Sequence, residues 1–225
     1  MKKDIVLNII GSLYGTEGSI LEEKKVDNLE RYISLLLKWN KAKNLIGKNT
    51  EEDIWERHIL DSAQILKYID PEKKNIADYG CGAGFPGVVL AILDNQKEVH
   101  LIESNSKKTN FLLEVKRQLK LDNIIIHNNR IEDIEAFKVD IITARAFAPL
   151  SKLFYFILPY LKKDSLCILL KGCNYKKEIE EAEKEWSFDY NYNQTILKQL
   201  DITNISGEEK TGVVLKINNL KELSG

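Results

Sequence analysis

The chain has few cysteines, and it lacks any long apolar run. Its three cysteines are Cys81, Cys167 and Cys173, and no two of them form a CxxC pair. An odd, widely spaced set argues against a disulfide framework or a zinc site, and it favours a reducing compartment such as the cytoplasm. No apolar run approaches the roughly 20 residues that a membrane-spanning helix needs. We therefore expect no metal site and no membrane partner.

Charge of one sign is not in excess either. Lysine and arginine number 33, aspartate and glutamate number 34, and the formal net charge is −1 at pH 7. This balance excludes a protein coated with basic residues, so a nucleic-acid partner must be met by a local basic patch. The 225 residues suit one globular α/β domain, with or without a small helical extension.

The first third of the chain has helical periodicity. The opening MKKDIVLNIIGSLYG has a short apolar stretch that polar residues interrupt, and we interpret it as a first helix rather than a signal peptide. Apolar residues from Leu29 to Leu37 recur on one helical face. A further helix is predicted to begin at Thr50, the expected N-cap. Residues 1–74 are therefore predicted to be an N-terminal helical extension.

Beyond residue 74, short apolar runs alternate with helix-like segments, which is typical of a parallel sheet. The predicted strands are NIADYG, EVHLIES, NIIIHNN, VDIITARA and SLCILLKG. The predicted helices between and after them are 85–94, 105–120, 149–161 and 174–186. The last two runs, YNQTILKQL and TGVVLKINN, have only DITNISGEEK between them, which suits a hairpin loop. The pattern predicts a Rossmann-like α/β fold of seven strands with the last strand antiparallel.

A glycine-rich loop follows the first predicted strand. Asp78 ends that strand, and Gly80, Gly82 and Gly84 alternate after it. Glycines there permit positive φ and let a ligand approach the backbone, and the next helix offers unpaired N–H groups. Such a loop binds a nucleotide-like ligand at the carboxyl end of a sheet. The alternative is a tight turn without a ligand. Three alternating glycines argue against it, because each glycine loses much conformational entropy on folding.

The spacing of these glycines favours one ligand over another. GAGFPG matches the GxGxxG fingerprint of NAD-binding domains, but in that fingerprint the first glycine closely follows the strand. Here Gly80 holds that place, and a fingerprint counted from it would need glycine at Phe85. The DxGxGxG form is associated with S-adenosylmethionine, and an antiparallel last strand also favours a methyltransferase. Residues 75–225 are therefore predicted to be a methyltransferase domain that uses S-adenosylmethionine.

Two further segments supply candidate cofactor contacts. Glu103 ends the second strand, where an acid accepts hydrogen bonds from both ribose hydroxyls. After the third strand, Ile131 is predicted to lie against the adenine ring and Glu132 to meet the adenine amino group. The alternatives are a solvated strand-end carboxylate for Glu103 and a helix N-terminal acid for Glu132.

The segment TARAFAPL follows the fourth strand and places Arg145 beside the expected position of the methyl group. It is not the Asn/Asp-Pro-Pro-aromatic loop common in base-amino methyltransferases, and no cysteine follows a proline, as covalent cytosine chemistry often requires. These absences favour an acceptor atom that is already nucleophilic. Arg145 is predicted to work at the active site by holding the cofactor or an RNA phosphate. A structural ion pair is the alternative role.

Several segments together resemble the bacterial RsmG (GidB) family of small-subunit ribosomal RNA methyltransferases. The resemblance covers about residues 29–172, and its most specific parts are FPG directly after GxGxG and the later RAFA. It implies methyl transfer from S-adenosylmethionine to N7 of a specific guanine in 16S ribosomal RNA, within the small subunit or its precursor. The matching segments are KWNKAKNLI, RHILDSAQIL, DYGCGAGFPGVVLAIL, LIESNSKKTNFLLEV, NRIED, TARAFAPL and LLKG. The cofactor contacts that the resemblance implies are Gly80, Phe85, Ile131, Glu132 and Arg145, with Glu103 at the ribose.

RNA binding is predicted to use Lys107, Lys108 and Lys171, through phosphate contacts that position an RNA without recognising its sequence. The ammonium groups of Lys107 and Lys108 are expected to stay outside the cofactor pocket, and a solvated helix face is the alternative for them. His58 is expected to pack between helices rather than touch substrate. The alternative functions are methylation of a small molecule or protein on the same fold, and nucleotide binding without catalysis.

Overall fold

The computed structural model describes residues 3–14, 20–199 and 212–223. Seven strands form one sheet in the order β3-β2-β1-β4-β5-β7-β6. Strands β1 to β5 pair in parallel, whereas β7 is antiparallel to both β5 and β6. The strands are β1 Asn75–Tyr79, β2 Glu98–Ile102, β3 Ile124–His127, β4 Val139–Arg145, β5 Leu161–Lys171, β6 Trp186–Gln194 and β7 Val213–Glu222. The predicted Rossmann-like sheet with an antiparallel last strand is confirmed.

Helices precede the sheet and connect its strands. They are α1 Lys3–Tyr14, α2 Glu23–Lys43, α3 Asp61–Ala63, α4 Gly87–Leu93, α5 Ser106–Leu119, α6 Leu150–Ile157, α7 Tyr175–Ala182 and α8 Ile196–Gln199. A π-helical turn, Trp55–Leu60, leads into α3, and a 3-10 turn, Gln64–Tyr68, follows it. Within the described ranges, none of these helices is long and apolar enough to cross a membrane.

Side chains of the central strands β1 and β4 alternate between two apolar clusters, one on each face of the sheet. Ile76 and Ile141 belong to the cluster that includes residues of α1, α2, α4 and α5. Ala77 and Ile142, their neighbours in sequence, belong to the cluster with α6 and α7. The N-terminal helices thus share a core with one face of the sheet. The division into an extension, 1–74, and a methyltransferase domain, 75–225, stays a prediction.

The predicted position of the sixth strand is wrong. YNQTILKQL spans 192–200, but β6 ends at Gln194 and α8 begins at Ile196. The strand instead begins at Trp186, which is buried, because aromatic residues alternate from Trp186 to Tyr192 on one side of this edge strand. The predicted helix over 174–186 accordingly ends early, with α7 at Ala182. The expected hairpin loop, 201–210, lies outside the described residues.

The helix predicted from Thr50 also begins later, because Thr50 does not act as an N-cap. Its hydroxyl donates to the carbonyl of Gly47 at 2.7 Å and lies 2.9 Å from Nε2 of His58. Continuous helical structure starts near Trp55, in the π-helical turn. The segment that carries Arg57, His58 and Asp61 is therefore irregular, and it reaches the sheet at the end of β4.

Candidate active site

The strand register brings four loops together at one edge of the sheet. Tyr79 at the end of β1 pairs with Ile102 at the end of β2 and with Ala144 near the end of β4. Ile102 in turn pairs with His127 at the end of β3. β2 and β3 lie on one side of β1 and β4 and β5 on the other, so the strand order reverses here. Ligands of such folds bind at this switch point.

The glycine loop adopts a backbone that side chains disfavour. Gly80 has φ of 63°, and an added Cβ would lie 2.2 Å from the ring of Phe147. Gly82 has φ of 59°, but its added Cβ would meet only Gly80 O and Lys108 Nζ, each at 3.9 Å. Gly80 is therefore required by close packing, whereas Gly82 leaves room for a ligand.

Hydrogen bonds from several elements hold the glycine loop in place. The buried Asp78 accepts hydrogen bonds from Gly87 N at 2.8 Å and from the Thr143 hydroxyl at 3.0 Å. Burial raises the pKa of Asp78 to about 7. The hydroxyl of Tyr32, on α2, donates to Ala83 O at 2.7 Å. Asp78 thus joins the loop to α4 and β4, and the N-terminal helices support the loop from the other side.

A first cavity, of about 480 Å³, opens beside this loop. Four predicted cofactor residues line it: Gly80, Glu103, Ile131 and Glu132. The Glu103 carboxylate accepts from Gly82 N at 3.0 Å and from Asn105 N at 2.8 Å, so it is fixed at the loop. The size suits a nucleoside-containing ligand, and a fixed carboxylate suits ribose hydroxyls. These residues therefore fit S-adenosylmethionine.

One expectation about the lysines is wrong. Lys108 lines the first cavity, and its Nζ lies 3.8 Å from Glu103 Oε2, because the first turn of α5 lies over the cavity. Lys107, next to it in sequence, is exposed. The two ammonium groups are therefore not equivalent, and only Lys107 is clearly outside the cavity.

A second cavity, of about 510 Å³, adjoins the first. Residues 146–148 line both cavities and form the wall between them. Ala146 has a positive φ of 51°, which is uncommon outside glycine and recurs at functional sites. Arg145 and Lys171, at the ends of β4 and β5, line the second cavity.

Arg145 is held by the irregular helical segment. Its guanidinium donates to Arg57 O at 3.1 Å and to His58 Nδ1 at 2.9 Å, and it lies 3.7 Å from Asp61 Oδ2. His58 accepts at Nδ1, so Nε2 carries the proton that bonds the Thr50 hydroxyl. Burial, and then the charges of Arg145 and Arg57, lower the pKa of His58 to about 3. A neutral His58 thus positions Arg145.

Five predicted cofactor residues lie outside the lining of the first cavity. Phe85 is buried, stacks on His58 with ring centroids 4.8 Å apart, and lies 4.9 Å from the Arg145 guanidinium. An added Cβ at Gly84 would lie 2.4 Å from Val88, so this glycine is packed against α4. Those five residues are Asp78, Gly82, Gly84, Phe85 and Arg145.

Sequence reasoning missed several residues of the cavity walls, among them Phe147 and Glu178. Phe147 lines both cavities, and Glu178 of α7 lines the second and pairs with Lys171. Phe147 stands inside the RAFA segment, two residues after the predicted Arg145, so its position was available as a signal. Glu178 carried none, because only the packing of α7 brings it to the cavity.

The described residues include no metal cluster, and their two buried thiols are not activated. No group of three or more potential metal ligands occurs in the parts of the chain that the structure describes. Cys81 and Cys167 are buried and unpaired, and burial raises the pKa of both thiols. Neither thiol is therefore prepared to act as a nucleophile.

The sheet order and the loop cavity define a Rossmann-like fold of the kind found in methyltransferases. A similar solved structure is M. jannaschii TYW2 in complex with AdoMet, with a TM-score of 0.56 and 19% identity over 81% of this chain and 80% of that one. Another is the ribosomal protein L11 methylase from Lactobacillus delbrueckii subsp. bulgaricus, with a TM-score of 0.53 and 15% identity over 77% of this chain and 80% of that one. At such identities the likeness shows the fold.

Sequence comparison then identifies the family. The model of GidB, rRNA small subunit methyltransferase G, matches residues 25–204. Two similar proteins are named ribosomal RNA small subunit methyltransferase G: one from Rickettsia prowazekii (38% identical over 90% of this chain and 98% of its own) and one from Caulobacter vibrioides (45% identical over 74% and 77%). The chain belongs to the GidB family, rRNA small subunit methyltransferase G. The resemblance seen in the sequence is confirmed.

Proposed function

We propose that the protein transfers the methyl group of S-adenosylmethionine to N7 of one guanine in 16S ribosomal RNA. The observation that carries this proposal is the pair of adjoining cavities at the carboxyl end of the sheet. One has the loop and carboxylates that suit a nucleoside cofactor, and the other has room for an acceptor base. Family membership supplies the class of RNA.

The residues of the first cavity hold the cofactor in this proposal. Glu103 binds the ribose hydroxyls, Ile131 packs on the adenine and Glu132 accepts from the adenine amino group. Gly82 leaves space for the ligand, which is supported by the absence of close atoms around its added Cβ. Asp78, Gly84 and Phe85 act indirectly, by shaping the loop, as their burial and contacts support.

S-adenosylmethionine supplies a sulfonium methyl, which the N7 lone pair takes while the electrons of the broken carbon–sulfur bond return to sulfur. Guanine N7 has no proton to lose, so the protein needs no general base. Its residues act by orientation, and well-oriented reactions reach effective molarities of about 10⁵–10⁸ M. The alkylated ring becomes cationic, so Arg145, held by His58 and Arg57, binds a phosphate or the cofactor rather than the ring.

The substrate in this proposal is RNA within the small ribosomal subunit or its precursor, in the cytoplasm. Lys107 is exposed at the start of α5 and contacts phosphate. Lys171 lies in the wall of the second cavity, where it meets the target nucleotide. Lys108, although it lines the first cavity, is partly exposed and stays a candidate RNA contact.

Transfer of labelled methyl groups from S-adenosylmethionine tests this proposal. The purified protein is incubated separately with unmodified small subunits, large subunits and protein-free small-subunit RNA. Label in the small-subunit RNA alone supports the proposal, and comparison of subunit with protein-free RNA identifies the preferred form. Label in proteins or small molecules would support the alternative substrates. Binding of S-adenosylmethionine without any methyl transfer would support the alternative function, nucleotide binding without catalysis.

A further inference from the structure

An ion pair occupies the wall of the second cavity. Lys171 Nζ donates to Glu178 Oε2 at 2.7 Å and to the carbonyl of Ala148 at 3.0 Å. The Lys171 side chain is 11% exposed and that of Glu178 is 26% exposed, so the carboxylate is the more accessible partner. Ala148 belongs to the wall shared with the first cavity, so a chain of contacts runs from that wall through Lys171 to Glu178.

The other charged side chains of this cavity are committed to contacts within the protein. Arg145 donates to Arg57 O and His58 Nδ1. Asp61 Oδ1 accepts from Gln64 Nε2 at 2.8 Å, and Asp61 Oδ2 faces Arg145. Lys171 and Glu178 are bonded chiefly to each other, so together they present an ammonium beside a carboxylate in the lining of the second cavity.

An ammonium beside a carboxylate matches one purine edge and opposes the other. The Watson–Crick edge of guanine presents the acceptor O6 next to two donors, N1–H and the 2-amino group. Adenine presents a donor, its 6-amino group, next to an acceptor, N1. Lysine only donates and an ionised carboxylate only accepts, so the pair is complementary to guanine and faces like groups in adenine.

We propose, on the basis of the function proposed above, that the Lys171–Glu178 pair recognises the target guanine in the second cavity. Lys171 donates to O6, and the Glu178 carboxylate accepts from N1–H and the 2-amino group. Around guanine the order of atoms is N7, O6, N1, which follows the order Ala148, Lys171, Glu178. A base bound this way directs N7 toward the wall shared with the first cavity.

Removing one hydrogen-bonding group of the base tests the proposed recognition of guanine. After the methylated guanine has been located, small subunits carrying guanosine or inosine at that position are compared; inosine lacks only the 2-amino group. We expect the wild-type kcat/KM to fall about tenfold on inosine, within the range of one good bidentate contact. In Glu178→Ala the difference between the two RNAs should shrink to about twofold or less, since the partner of the amino group is gone.

Glu180→Ala is the matched control, because Glu180 is exposed on the same helix; it should keep the wild-type preference. Glu178→Met, which has a similar length but no strong acceptor, repeats the test if the alanine variant fails to fold, and unchanged S-adenosylmethionine affinity confirms folding. A full inosine penalty in the Glu178 variants, or none in the wild type, overturns the assignment of Glu178. A wild type that methylates neither RNA instead overturns the proposed function.

Discussion

At Gly82 no packed protein atom would block a side chain, and we propose that the ligand needs the open space beside it. Its φ is 59° and its added Cβ would have no protein atom closer than 3.9 Å. Gly82→Val should abolish S-adenosylmethionine binding measured by calorimetry, because the side chain fills ligand space, while strain costs about 1–3 kcal/mol of stability. Gly172→Val is the control, since an added Cβ there meets nothing within 4 Å. Normal affinity in a folded Gly82→Val would refute the loop assignment.

Asp78 and His58 should oppose each other in the pH dependence of stability. Native Asp78 keeps its proton to about pH 7, above its ordinary pKa of 3.8, so the free energy of unfolding falls as pH rises through this window. Native His58 stays neutral down to about pH 3, whereas the ordinary pKa of histidine is 6.5. The free energy of unfolding therefore falls as pH drops through this window. The two slopes largely cancel in the wild type.

Substitution should reveal each slope. From about pH 4.5 to 6.5, Asp78→Asn should make the free energy of unfolding rise more steeply with pH than in the wild type, by up to about 1.4 kcal/mol per pH unit. His58→Gln should have the opposite effect, so that the free energy of unfolding rises less steeply with pH than in the wild type. Urea denaturation across this range measures both. Variants whose curves run parallel to the wild type would show that neither group has a shifted pKa.

The irregular helical segment and β4 form a unit through Arg145. Arg145→Ala should cost about 1–3 kcal/mol of stability, since it removes hydrogen bonds to partly buried acceptors. If the guanidinium also binds phosphate or cofactor, methyl transfer should fall much further than stability. Asp61→Asn is the matched variant, because it weakens the same junction but keeps the guanidinium. Equal losses of activity in the two, measured well below both melting temperatures, would leave Arg145 a structural role only.

Elements were predictable where one physical pattern dominated. Strands β1 to β5 are short apolar runs that alternate with helix-like segments, and their parallel pairing follows from that alternation. β6 was misplaced because its aromatic alternation begins directly after a helix-like segment, at Trp186. Thr50 looked like an N-cap, but its hydroxyl bonds the preceding Gly47 carbonyl instead. Such local competition is decided by packing that the sequence pattern does not contain.

The candidate site was predictable where a residue directly follows a strand. Gly80, Glu103 and Ile131 come together because parallel strands end at one edge of the sheet. Glu178 was not predictable, since it comes to the second cavity only when α7 packs beside β5. Separation of Lys107 from Lys108 likewise required the direction of α5 relative to the first cavity.

At the scale of the whole molecule, Lys107 and Lys108 should separate RNA binding from cofactor binding. Lys107→Gln should weaken RNA affinity and reduce its salt slope by up to about 0.7, the value for one single-stranded phosphate contact, without changing S-adenosylmethionine affinity. Lys108→Gln should lower cofactor affinity, because its Nζ lies beside Glu103. Titrations at several salt concentrations measure the first effect and calorimetry the second. An unaltered slope in Lys107→Gln would remove this residue from the RNA surface.

Nucleoside analysis of methylated small-subunit RNA tests the guanine-N7 chemistry most directly. Unmodified small subunits are incubated with the protein and methyl-labelled S-adenosylmethionine, and the RNA is digested to nucleosides and separated. We expect the label to appear in 7-methylguanosine alone, because N7 of guanine has a free lone pair and, in the proposed orientation, faces the wall shared with the cofactor cavity. The Gly82→Val protein should leave the RNA unlabelled. Label in any other nucleoside would contradict the guanine-N7 assignment.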